Sequence, residues 1–250
     1  MPVQIYLSTL SPNAPALAEK YSLGLELTQF CTAMNMDENF DVWDQSVREC
    51  MKSAEKFVLH APFAELTPCA IDPLVKRVSL HRLKQAADLC ARYGVRRMVV
   101  HSGFMPNVYF PVWYLDQGVP FFQELLSNLP DDFELLIENV LDPTPDLLFS
   151  LIERIDDPRA RVCLDVGHAF CVSKVPLGDW LNALSPFIAH LHLHDNDSTF
   201  DAHLAPGCGK IGYPAFFDVL GETVPRATWT FECPDADRCI QKLVEFGKIG

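Results

Sequence analysis

Eight short apolar runs, at 3–8, 23–30, 56–61, 96–101, 133–139, 161–166, 188–194 and 227–232, divide the chain, and a helical pattern follows most of them. Runs such as Arg97-Met98-Val99-Val100-His101 and Phe133-Glu134-Leu135-Leu136-Ile137-Glu138 stay almost continuously apolar until a polar residue closes them. Parallel strands buried on both faces read this way, whereas half-exposed strands alternate. The clearest helix is expected over 72–92, with Asp72 as N-cap, Pro73 in the first turn, apolar residues at helical spacing and Gly94 as the stop. Further helical patterns lie at 42–54, 111–128, 144–154, 177–184 and 235–246. No Gly-rich fingerprint supports an open doubly wound sheet. The pattern therefore predicts an α/β chain closed into a single (β/α)8 barrel, one domain over residues 1–250.

In such a barrel the working face lies at the C-terminal strand ends. Reading those ends gives His60, His101, Glu138, Asp165, His192 and Glu232, six consecutive strands closing on His, Asp or Glu with no Lys or Arg among them. Three more candidates follow in the loops: His168, three residues after Asp165, and the Asp201-Ala202-His203 pair. Polar residues are ordinary at any one strand end. Nine together, five imidazoles and four carboxylates, exceed what one ion needs and suit two or three clustered divalent cations with a bridging carboxylate. Zinc is favoured by the imidazoles, with Mn or Fe as alternatives.

The formal net charge is −13, so the surface as a whole repels nucleic acid and anionic lipid. Three divalent ions among the four carboxylates would leave about two positive charges in the pocket, a local attraction for an anionic substrate. Nine cysteines with no C-x-x-C pair read as reduced thiols and a cytoplasmic location. The start lacks the features of a signal peptide, and no stretch is expected to span a membrane.

The motifs Leu59-His60-Ala61-Pro62, Val100-His101-Ser102-Gly103, Ile137-Glu138-Asn139, Leu164-Asp165-Val166-Gly167-His168, Leu191-His192-Leu193-His194-Asp195, Asp201-Ala202-His203 and Phe231-Glu232-Cys233-Pro234, in this order, resemble the xylose isomerase-like TIM barrels. Within them the chain looks most like the endonuclease IV type. The resemblance implies that His60 and His101 hold one zinc with Glu138 as bridge. Asp165, His192 and Glu232 would hold a second with the same Glu138, and His168, Asp201 and His203 a third. Family members that isomerise or epimerise sugars need only the set matching Glu138, Asp165, His192 and Glu232.

The departures concern DNA. The endonuclease IV type uses a basic loop after the second strand, but between Lys20 and Arg48 this chain has no Lys or Arg and carries Glu26, Asp37, Glu38, Asp41 and Asp44, so a duplex would be repelled. The loop after the fourth strand instead offers Phe104, Met105, Tyr109, Phe110, Trp113 and Tyr114, which could line a pocket for a bulky, partly apolar small molecule. His60-Ala61-Pro62-Phe63-Ala64-Glu65-Leu66 and the segment from Leu191 to Leu204 further resemble the cobamide-remodelling phosphodiesterases.

The expected activity is hydrolysis of a small phosphodiester such as a cobamide nucleotide loop at a di- or trinuclear centre. Glu138 and Glu232 are expected to be catalytic, with His194 touching substrate or replacing His192 as ligand. Lys210, in Gly207-Cys208-Gly209-Lys210-Ile211-Gly212, is expected to contact phosphate, and Tyr109 and Trp113 the apolar part of the substrate. His190 reads as a hydrogen-bonded core residue and His81 as solvent-facing; Ser102 and Cys233 lack the arrangement of a nucleophile. The alternatives are a sugar or sugar-phosphate isomerase or epimerase using one ion, and an abasic-site DNA endonuclease.

Overall fold

The computed structural model describes residues 3–250. Eight parallel strands close into a barrel in chain order, β1 (Ile5–Ser8), β2 (Gly24–Leu27), β3 (Phe57–His60), β4 (Arg97–His101), β5 (Glu134–Glu138), β6 (Ala160–Asp165), β7 (Ile188–Leu193) and β8 (Thr228–Phe231). The seam is a parallel pairing of Ile5 with Trp229. Around it run α1 (Ala14–Tyr21), α2 (Phe40–Cys50), α3 (Pro73–Tyr93), α4 (Pro111–Leu126), α5 (Asp146–Ile155), α6 (Val166–Val172), α7 (Leu177–Leu184), α8 (Tyr213–Thr223) and α9 (Ala236–Glu245).

Local chemistry sets several of these boundaries. The Asp72 carboxylate accepts from the Leu74 amide at 2.7 Å and caps α3, satisfying one of the orphan donors of its first turn. Three helices have no counterpart in the sequence pattern: α1, α6 and α8. Of these, α6 is seven residues of Val-Gly-His-Ala-Phe-Cys-Val and begins directly on the strand end, so Asp165 closes β6 and also accepts from the His168 amide as N-cap. No loop separates strand from helix there, and the apolar run hides the change of period.

Burial is divided in two. The large apolar core lies between strands and helices, with Trp180, Tyr114, Tyr213, Phe121 and Phe122 fully buried. A second, small cluster of Tyr6, Val58, Val99, Leu136 and Cys163 fills the barrel interior, and it leaves polar side chains to occupy the remaining interior layers. Of the nine cysteines, six are buried and all are free. No helix among the described residues is long and apolar enough to cross a membrane.

The barrel is tight at β2. A Cβ on Gly24 would overlap the Tyr6 ring and lie 2.9 Å from the Lys56 carbonyl, and backbone cannot retreat as a flexible side chain can. Gly24→Ala should therefore cost about 1–3 kcal/mol, the range for overpacking. An unchanged denaturant midpoint would show that β2 has room this geometry denies.

Candidate metal centre

Parallel register places one donor per strand at a common height. His101 pairs with Glu138 across β4 and β5, and Asp165 with His192 across β6 and β7. His60 ends β3, and Glu232 follows the last residue of β8. Nε2 of His60 and Nε2 of His101 each lie 3.5 Å from Oε2 of Glu138. On the other side of Glu138, Nδ1 of His192 lies 3.5 Å from its Oε1, 3.5 Å from Glu232 and 3.8 Å from Asp165. A third group gathers above: Asp201 Oδ2 is 3.2 Å from Nε2 of His168 and 3.1 Å from Nε2 of His203. All nine side chains named from the sequence thus meet in three adjoining groups, each able to converge on a common point.

The donors are shaped for cations. Both oxygens of Glu138, Oδ1 of Asp201 and Nδ1 of His192 are buried with no hydrogen-bond partner. Buried polar atoms are rarely left unpaired, yet these are crowded by nitrogens and carboxylates at distances and angles too poor for hydrogen bonds. Burial opposes ionisation of Glu138, but the His192 imidazole beside it outweighs this and holds the carboxyl well below its usual range. Burial pushes His101 down to about 3, leaving a neutral imidazole with a free lone pair. Divalent metal ions fit this donor set.

Backbone carbonyls orient three of the imidazoles. Nδ1 of His60 lies 2.8 Å from the Ala61 carbonyl, Nδ1 of His168 lies 3.1 Å from that of Asn139, and Nδ1 of His203 lies 3.0 Å from that of Glu232. Each ring nitrogen can only donate to its carbonyl, so Nε2 is left as the ligating atom. Asn139 also clamps β5 to β6, donating to the Asp165 carbonyl at 2.9 Å and accepting from its amide at 2.8 Å. Ser102 donates to Asp142 at 2.9 Å, tying the loops that follow β4 and β5; no imidazole stands by it as base.

Four candidates fall elsewhere than the sequence suggests: His194, Lys210, Tyr109 and Trp113. His194 does not replace His192 in the Glu138 group: its Nε2 lies 3.1 Å from Asp165, and its ring stacks on His203 at 3.8 Å. It is fully buried, and its unpartnered Nδ1 lies 3.7 Å from Asp201, so it can join His168, Asp201 and His203 around the third common point. Lys210 is exposed, with Nζ 3.3 Å from the Asp197 carbonyl. The glycine loop around it is not an anion cradle, because the amides of Gly207, Gly209 and Ile211 already donate to Asp195.

A cavity of about 190 Å³ opens beside His101, lined by Phe63, Leu66, Phe104, Met105, Val140 and Leu141 among others. Tyr109 and Trp113 are not in its wall. Tyr109 packs against the main core, and the Trp113 indole donates to the Cys69 carbonyl at 2.9 Å.

Sequence reading misses Glu26. It is not part of an acidic loop but a fully buried side chain on β2, against His190 and His192. A signal for it exists, since it is the one charged residue in Gly24-Leu25-Glu26-Leu27. As a fifth carboxylate it would lower the charge that three divalent ions would leave in the pocket to about one. Two other acids of that stretch are neutralised by neighbours: Asp37 by Arg82 at 2.6 Å, and Asp44 by Arg48 and Arg92 at 2.9 and 2.8 Å. His190 is buried on Glu26 and two threonines, while His81 is exposed.

A family model for the xylose isomerase-like TIM barrel matches residues 17–248. An uncharacterized protein of Methanocaldococcus jannaschii is 24% identical over 74% of this chain and 72% of its own. A protein of Akkermansia muciniphila named "Probable endonuclease 4" is 26% identical over 67% of this chain and 66% of its own. Fructoselysine 3-epimerase of Escherichia coli O157:H7 is 27% identical over 56% and 53%. Among solved structures, a Thermus thermophilus protein soaked with ZnCl2 superposes with a TM-score of 0.76 at 26% identity, covering 98% of each chain. A D-tagatose 3-epimerase-like protein gives 0.81 at 20% identity, covering 98% and 97%, a likeness of fold.

Two outcomes follow from this packing. A Cβ on Gly167 would overlap the His194 ring, so Gly167→Ala should push His194 onto His203 and weaken the His168–Asp201–His203 group, lowering bound zinc per chain by about one ion; unchanged metal content would contradict it. Burial pushes the Asp142 carboxyl from 3.8 up to about 6. The folded state then binds this proton more tightly than the unfolded chain, so its contribution is greatest below pH ~4 and is lost as pH rises through ~6. Asp142→Asn should match the parent protein near pH 4 and exceed it at pH 8 by up to about 3 kcal/mol. A stability difference that does not change with pH would refute this account.

Proposed function

The chain belongs to the xylose isomerase-like TIM barrel family, and from that premise we propose that it is a divalent-metal-dependent phosphodiesterase acting on a small, partly apolar phosphodiester. The observation that carries this reading is the third donor group, His168, Asp201 and His203 with His194 beside them. Abstracting a proton next to a sugar carbonyl requires one Lewis acid and a pair of carboxylates, for which Glu138, Asp165, His192 and Glu232 suffice. Phosphoryl transfer spreads negative charge over attacking, non-bridging and leaving oxygens, and several cations share that load better than one.

Divalent ions bound here would acidify a water and neutralise the charge that develops around phosphorus. The chain's own groups do the rest. Glu138, with its two oxygens turned to opposite sides, sets the spacing between neighbouring sites. Asp201 and His203, from the loop after β7, and His168 from α6 place the third site over the strand-borne pair. Phe63 stacks on the His101 ring at 4.5 Å and forms one wall of the apolar cavity. An aromatic or aliphatic substituent of the substrate would lose water there while its phosphate meets the centre. The nucleotide loop of a cobamide has that combination of groups. The unpaired acids Glu38 and Asp41 after β2, and the overall charge of −13, disfavour duplex DNA.

A second reading, sugar or sugar-phosphate epimerisation, is favoured by the completeness of the Glu138–Asp165–His192–Glu232 group and by the relative named fructoselysine 3-epimerase. One pair of substitutions separates the two. Asp201→Ala and His203→Ala should each lower hydrolysis of bis-nitrophenyl phosphate or a cobamide by roughly two orders of magnitude or more, about 3 kcal/mol of transition-state stabilisation, while leaving a ketose epimerase largely intact. Activity on ketoses that survives both changes, with no phosphodiester turnover in the zinc-replete parent, would replace the first reading by the second.

A further inference from the structure

Barrel interiors of this kind are ordinarily filled by layers of branched apolar side chains, but here a continuous polar file runs down from the metal centre. Nε2 of His192 lies 3.1 Å from both carboxylate oxygens of Glu26. Thr230 donates to Glu26 Oε2 at 2.6 Å, and Nε2 of His190 lies 2.8 Å from the same hydroxyl and 3.3 Å from Glu26. Below, Nδ1 of His190 is 2.6 Å from the Thr228 hydroxyl, which accepts from Arg97 at 2.6 Å. Arg97 donates onward to Glu134 at 2.6 Å and to the Ala189 carbonyl at 3.0 Å. Glu26, His190, His192 and Thr230 are all fully buried.

The file has an end with a direction. His60, His168 and His203 all use Nδ1 on a backbone carbonyl and present Nε2. His192 is reversed. Its Nε2 is taken by a carboxylate, which can only accept, so Nε2 carries the proton; its Nδ1, buried and without a partner, faces Glu138, Asp165 and Glu232. We propose that Glu26 is a positioning residue that selects Nδ1 of His192 as the ligating nitrogen, and that the Thr230–His190–Thr228–Arg97–Glu134 file holds Glu26 to that task. A carboxylate on the far nitrogen also raises the basicity of a ligating imidazole. The inference depends on the metal centre and not on the reaction it serves, so it stands under either reading of the activity.

Glu26 can also be grouped with His60, His192 and Glu232 as a direct ligand, and the test distinguishes the two roles. The full chain, stripped of metal, is titrated with Zn²⁺ by calorimetry and with Co²⁺ by its visible d–d spectrum, for the parent, E26Q, E26L and T230V. A glutamine carbonyl still accepts from Nε2 but is a poor ligand. Positioning therefore predicts that E26L weakens one site by about 10–100-fold. E26Q should weaken it several-fold less than E26L, with the Co²⁺ band shape and the number of ions at saturation unchanged. T230V, which removes a donor to Glu26 and leaves the charge in place, should weaken the same site several-fold; this reading stands if E26L does not fold. Enzyme assays should show kcat falling with KM little changed. Equal loss in E26Q and E26L with an altered Co²⁺ spectrum would make Glu26 a ligand and overturn the proposal, as would parent-like affinity in E26Q and T230V together.

Discussion

The structure depends on a collection of buried carboxylates that the chain satisfies only in part. Glu138, Asp165 and Glu232 close around His192 at the top of the barrel, and the oxygens of Glu138 have no hydrogen-bond donor. Uncompensated buried charge costs several kcal/mol per group, and a fold selected for stability alone would fill this layer with Val, Ile and Leu, as the inner cluster one layer down does with Val58, Val99 and Leu136. Parallel register makes the concentration unavoidable once each strand ends on a donor, because neighbouring ends such as His101 and Glu138 are direct partners. The unsatisfied charge is thus the form that binding energy for cations held at these clusters would take in the chain.

A layer of uncharged contacts keeps those groups from relaxing onto one another. The carbonyls of Ala61, Asn139 and Glu232 each fix one imidazole, and the side chain of Asn139 grips Asp165 through both backbone groups. His194 is closed off from solvent, pressed against Gly167 and stacked on His203, with Nε2 held by Asp165 and Nδ1 turned to Asp201. Such supports decide whether a donor set is held in place or merely nearby.

How far the site is legible in the sequence follows from where each residue gets its constraint. The strand-end donors can be read because a polar residue closing an apolar run has one physical meaning in a parallel barrel. Glu26 obeys the same rule but is lost, because the apolar pattern continues to Phe30, which is buried although the strand ends at Leu27; the overlong run leaves Glu26 with no end to mark. Lys210, Tyr109 and Trp113 stand out by residue type in loops, where orientation comes from contacts with distant backbone: Asp195 folds the glycine loop inward, and the Cys69 carbonyl turns the Trp113 indole away from the cavity. The acidity after β2 looks stronger in the sequence than in the fold for a related reason, since the arginines that offset Asp37 and Asp44 lie as far away as positions 82 and 92.

The same division bears on how one barrel can serve unlike reactions. Glu138, Asp165, His192 and Glu232 are set by strand register and would be present whether the chemistry is proton abstraction or phosphoryl transfer. Asp201 and His203 belong to a loop, and loops vary without cost to the barrel. Here that loop is not left to chance. Asp195, at its root, accepts from the amides of Asn196, Gly207, Gly209 and Ile211, and a short antiparallel bridge pairs Asp195 with Leu204 just after His203. One buried carboxylate therefore fixes both ends of the segment carrying Asp201 and His203. A loop pinned in this way holds its donors in register before any ion binds, so the ordering cost is met at folding rather than at binding, and the third donor group becomes a permanent part of the site.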